Sequence, residues 1–120
     1  MRKTLSFVLC ALATTAGAQV RVQEYTIPAG HGIHDVWADA APGGPVWFSA
    51  QRSGNLGILD PKSGKVEFVK LGTGSSPHGV VAGPDGAVWL TDGGQNAIVR
   101  VDPRGDSNTS ILPVRGSSRP

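Results

Sequence analysis

Val46-Trp47-Phe48-Ser49 returns as Val88-Trp89-Leu90-Thr91, and Leu59-Asp60-Pro61 returns as Val101-Asp102-Pro103, both 42 residues later. Upstream of each pair, His34-Asp35-Val36 matches His78-Gly79-Val80 at an offset of 44 residues, and Glu24-Tyr25 matches Glu67-Phe68. The two-residue difference falls in one loop, where 39–44 replaces the tighter Gly83-Pro84-Asp85-Gly86. A supersecondary unit written nearly twice limits the chain to a repeat architecture. A period near 42 residues fits a four-stranded propeller blade, and the chain reads as all-β with about two such antiparallel blades.

Local patterning agrees. After residue 18 no stretch keeps a 3.6-residue apolar period; short apolar runs alternate with turn residues instead. Strands are expected near 33–38, 46–50, 55–60 and 66–71 in the first unit. The second set falls near 79–82, 88–91, 97–102 and 111–114. Between them lie Pro61-Lys62-Ser63-Gly64, Pro84-Asp85-Gly86 and Gly93-Gly94, where proline presets φ and glycine supplies positive φ. A further strand over 20–27 reads as the last strand of a preceding blade. The organisation is thus 1–18 leader, 19–106 blades (repeats at about 33–72 and 77–114), and an irregular tail over 107–120 rich in Ser, Arg and Pro.

The leader has three parts: Arg2 and Lys3, a short apolar run over 5–13, and small residues at Ala16-Gly17-Ala18. That is the layout of a secretory signal peptide cleaved before Gln19, giving a periplasmic or secreted protein. The run is shorter than the ~20 residues that cross a bilayer. Leu9 before Cys10, the only cysteine, argues against a lipoprotein site, which needs a small residue there. Without the leader, nine basic residues face nine acidic ones. Charge therefore gives no reason to expect a nucleic acid or, after cleavage, a membrane. The mature chain also lacks a cysteine and must rely on core burial. Two blades leave open edges, so further blades or self-association are expected to complete a ring.

With these residues in view, the segment from His78 through Gly83-Pro84-Asp85-Gly86 to Trp89-Leu90-Thr91-Asp92 resembles the blade signature of streptogramin B lyases (the virginiamycin B lyase family). The similarity continues through Ala97-Ile98-Val99-Arg100-Val101-Asp102 and extends more loosely over 24–103. It implies a seven-bladed propeller that linearises cyclic depsipeptide antibiotics by C–O elimination, with a divalent metal, usually magnesium. The partner it implies is a small cyclic peptide or other small ligand. Carried over residue by residue, the likeness makes His78 and Asp92 the candidate catalytic pair. They lie at the start of one strand and the end of the next, so they are expected to share a rim, with the carboxylate orienting the ring. The pattern departs from the family in using aspartate for glutamate, and in lacking a later histidine. The other reading of His78 is structural, a hydrogen-bonding residue of the blade rim. A non-catalytic binding module is the alternative function.

Other features point less far. Trp47 and Trp89 occupy equivalent strand positions, where an indole fills the space between blades or stacks on a ligand. His31, His34 and Asp35 have short spacing but no cysteine or nearby third histidine to make a metal set. No phosphate-binding loop, nucleophile elbow or dinucleotide fingerprint is present.

Overall fold

The computed structural model describes residues 19–102 and 109–114; the leader expected at 1–18 lies outside them. Eight strands follow in order: β1 Ile33–Ala38, β2 Val46–Ala50, β3 Asn55–Leu59, β4 Val66–Lys70, β5 Pro77–Ala82, β6 Val88–Asp92, β7 Ala97–Val101 and β8 Thr109–Pro113. They form two four-stranded sheets, β1-β2-β3-β4 and β5-β6-β7-β8, antiparallel throughout. Apart from a single 3-10 turn at Gln51–Ser53, no helix occurs among the described residues.

The repeat extends to an irregularity. The β1–β2 register shifts between Ile33 and Val36, and the β5–β6 register shifts at the matching place, between Pro77 and Val80. Such an extra residue bends the strand and turns its side chains. Strand ends differ from expectation by a residue or two. The consequential difference is β5, which starts at Pro77 and takes His78 into the sheet. Likewise, β8 carries regular structure into the segment expected to be an irregular tail from residue 107.

Side chains alternate across each sheet, so each blade has two faces. Trp47 and Leu56 of the first blade pack against Val80, Val88, Leu90, Val99 and Val101 of the second, with Leu71 in the same cluster. Trp47 is buried between the blades, whereas its repeat partner Trp89 is half-buried and Trp37 is exposed. The opposite face of the first blade carries Phe48, Ala50 and Leu59, with Val46, Val66 and Phe68 beside them. Gly57 lies under the Phe48 ring, where a Cβ would collide with it.

The segment expected as an early strand, 20–27, is not a strand. Tyr25 and Ile27 instead lie on that second face, and the Tyr25 hydroxyl donates to the Pro61 carbonyl at 2.7 Å. A strand needs a ladder partner, while the Phe48–Leu59–Phe68 face needs apolar cover. The segment supplies the cover.

Candidate functional site

The inner strands of the two blades, β1 and β5, lie side by side. Their seam is built around Ser49, which is fully buried on β2. Its hydroxyl accepts from the Asp35 amide at 2.9 Å and donates across the seam to the His78 carbonyl at 2.6 Å. The Asp35 carboxylate supports the same joint: Oδ1 accepts from the Val36 amide at 2.9 Å and Oδ2 from the Val80 amide at 3.3 Å. In the second blade Thr91 takes the place of Ser49, and its hydroxyl accepts from the Gly79 amide at 2.9 Å. The β-bulge makes these bonds necessary, because a slipped register leaves strand amides without ladder acceptors.

On this seam the side chains of His34 and His78 meet, with ring centroids 3.7 Å apart and planes inclined by 40°. Both residues are exposed. Repeat symmetry explains the pairing, since equivalent positions of neighbouring blades project from adjacent strands in the same direction.

Asp92 lies elsewhere in the hydrogen-bond network. It is buried at 2% exposure and closes the loop around it. Its Oδ1 accepts from the amides of Ser76, Gly94 and Gln95 at 2.9, 3.0 and 3.1 Å. Oδ2 accepts from the Ser75 hydroxyl at 2.6 Å and from Gln95 Nε2 at 2.9 Å. Burial pushes its carboxyl upward, but the bonds from Ser75, Ser76 and Gln95 outweigh it and hold the group below the usual carboxylate range. His78 is not among these partners. Asp92 pairs with Pro77 across β5–β6, so it and His78 fall on alternate positions and project to opposite faces. The two candidate residues share a rim, but the imidazole meets His34 and the carboxylate serves the loop.

His31 separates from His34. Its ring stacks on Phe68 with centroids 3.7 Å apart, and its Nδ1 is 2.8 Å from the Ser53 hydroxyl. Among the described residues no group of three His, Cys, Asp or Glu side chains could hold a metal. A magnesium ion wants oxygen donors, and the carboxylates of Asp35 at the seam and Asp92 at the end of β6 are already committed to backbone amides. The described residues do not fit that ion.

Beside the seam, on the uncovered face of the second blade, is an open cleft of about 400 Å³ bordered by Asp35, Val81, Trp89, Thr91 and Ile98. Arg100 lies 5.8 Å from the Trp89 ring and pairs with Asp85 at 2.7 Å. That hydrogen bond from Arg100 draws the Asp85 carboxyl below its ordinary range. The sequence reading missed Ser49 and Asp35 as joint residues. The available signal was the hydroxyl repeated at Ser49 and Thr91, midway along otherwise apolar strands.

No family model and no curated protein sequence matches the chain. Solved structures do. A catalytically inactive histidine-to-alanine variant of virginiamycin B lyase from Staphylococcus aureus, determined with quinupristin, aligns at TM-score 0.65 and 23% identity over 74% of this chain and 29% of its own. Selenomethionine-substituted virginiamycin B lyase from the same organism aligns at TM-score 0.68 and 23% identity, covering 79% of this chain and 31% of its own. A streptogramin B lyase structure aligns at 0.67 and 18%, covering 78% and 30%. The chain thus spans under a third of the length of the structures it matches. At this identity the likeness is one of fold: the two sheets are consecutive blades of a β-propeller of the kind found in streptogramin B lyases.

Proposed function

We propose that the chain is part of an exported streptogramin B lyase-like propeller, and that it offers a ligand-binding rim at the His34–His78 seam. The observation that carries the reading is the contact between these two exposed imidazoles, on blades whose fold is shared with proteins named for this activity. A cyclic depsipeptide has ester and amide carbonyls that accept from imidazole N–H groups, and apolar side chains that suit the cleft beside Trp89. In the whole protein the reaction would be an elimination. A base takes the proton α to a carbonyl, its electron pair forms a carbon–carbon double bond as the alkyl C–O bond of the ester breaks, and the ester oxygen leaves with that bond's electrons as a carboxylate.

Of the candidate pair, His78 is the residue we assign as that base. Its ring is exposed, while the Asp92 carboxylate is enclosed. The base still lacks an orienting carboxylate and an electrophile at the oxyanion, and the seam is open to water, which weakens every electrostatic contribution. The non-catalytic reading, a module that grips a small ligand, is therefore favoured for these two blades alone. The enclosure of Asp92 is its specific support.

The test is to add quinupristin to the chain lacking residues 1–18, following histidine ring resonances by NMR and ring opening by chromatography with fragment-ion analysis. Elimination leaves the total mass unchanged, so retention and fragmentation are the readouts. The expected result is binding that moves the His34 and His78 signals, without linearisation. Absence of binding would refute the rim. Linearisation abolished by His78→Ala would make His78 catalytic and overturn the binding-only reading, and linearisation that survives it would place the chemistry elsewhere.

A further inference from the structure

We infer that His34 and His78 form a two-imidazole site for a divalent transition-metal ion of the copper, nickel or zinc type, bridging the two blades. The inference stands on their geometry and not on the lyase reading. Two rings with centroids 3.7 Å apart are near enough that, once turned, each can present a nitrogen to a shared ion, for which metal–nitrogen bonds are about 2.0–2.1 Å. The rings are inclined by 40°, and a common ion needs them to open further. Nothing resists that rotation: both side chains are exposed, and among the described residues neither imidazole has a hydrogen bond. Beneath them the strands are joined: Ser49 of β2 bonds both the Asp35 amide and the His78 carbonyl, and the Asp35 carboxylate accepts from the Val80 amide. The backbone therefore holds the two ligands close together, and binding requires only that the rings turn.

The chemistry of the donors selects the ion. Neutral imidazole suits zinc, copper and nickel, whereas magnesium and calcium want oxygen. The carboxylate that could harden the site, Asp35, is held by backbone amides. Two protein ligands leave open coordination positions for water or for a chelating ligand. Because the rings bind only when deprotonated, affinity falls as pH is lowered. The third histidine serves as an internal control, since its ring is stacked on Phe68 and engaged with Ser53.

The experiment titrates the untagged chain, lacking residues 1–18, with copper, nickel and zinc chlorides and then with magnesium chloride, by calorimetry and by histidine ring NMR. One ion per chain is expected for the transition metals, reversed by EDTA, with paramagnetic broadening by copper centred on β1 and β5. His34→Gln and His78→Gln should each weaken binding by at least about tenfold, with an unchanged far-ultraviolet spectrum, while His31→Gln leaves it as in the parent. Binding that survives both substitutions, that is lost equally in His31→Gln, or that magnesium competes away would overturn the site. No depsipeptide enters this test, so its failure and the failure of the rim proposal are separate results.

Discussion

Replacing Asp92 by alanine should open the loop at the end of β6 while leaving the His34–His78 seam in place. The carboxylate takes five hydrogen bonds, three from backbone amides and two from side chains. A bond to a charged group contributes about 1.5–3 kcal/mol net. Adding five such values overshoots, because exposed Gly93 and Gly94 can turn their groups to water once the acceptor is gone. Removing one side of a buried charged network typically costs about 3–5 kcal/mol. At about 1.4 kcal/mol per factor of ten, local opening should become at least a hundredfold more frequent. Amide hydrogen exchange at Ser76, Gly94 and Gln95 reads this directly, whether or not the whole chain unfolds in one step. Asp92→Asn keeps one carbonyl oxygen for the three amides and should lose less protection.

The pH dependence has a definite sign. The folded Asp92 carboxyl sits below its ordinary value. Its stabilisation is therefore present above the unfolded carboxylate's pKa, about 3.9, and is lost as pH falls through the folded value. Protection of the three amides should decline only on the acid side of about pH 4. Unchanged protection in Asp92→Ala, together with movement of the His78 ring signals, would refute the structural assignment and restore Asp92 as a partner of the imidazole.

Four further outcomes are expected. Ser49→Ala strips the acceptor of the Asp35 amide and the donor to the His78 carbonyl, and should cost about 1–3 kcal/mol; exchange at the Asp35 amide should rise more than exchange at the Gly79 amide does in Thr91→Ala. Gly57→Ala drives a methyl group into the Phe48 ring and should cost about 1–3 kcal/mol, with part recovered by adding Phe48→Leu in a thermal-melt cycle. Mass spectrometry of exported protein should find Gln19 as the first residue, and recovery of only the intact chain from the cytoplasm would defeat the export proposal. The uncovered face of the second blade, with Val81 44% and Leu112 48% exposed, should drive the mature chain to self-associate in analytical ultracentrifugation. A monomer that melts in one sharp transition would contradict this.

How far the residues alone reach can be judged from particular elements. The repeat of Val46-Trp47-Phe48-Ser49 in Val88-Trp89-Leu90-Thr91 was enough to place β2 and β6, to make the chain all-β, and to set two blades side by side. A repeat is a statement about which positions are equivalent, and equivalent positions in stacked units must share environments. For that reason the burial of Trp47 between the blades was legible. Strand placement was legible too, because turn residues and two-residue alternation are local signals.

The site was not legible in the same way. The sequence carries the blade motif that places His78 and Asp92 on one rim. Which way each side chain points depends on strand parity and on the bulge between Pro77 and Val80. A shift of one residue sends a side chain to the other face. Only the assembled sheets show that Asp92 turns into its own loop while His78 turns toward His34. The segment at 20–27 makes the same point: its alternation permits a strand, but the apolar Phe48–Leu59–Phe68 face claims Tyr25 and Ile27 as cover. Periodicity determined the elements and their order. Competition among apolar faces, and among donors for the few buried acceptors, was decided by the tertiary structure, because those partners lie far apart in the chain and come together only when the blades stack.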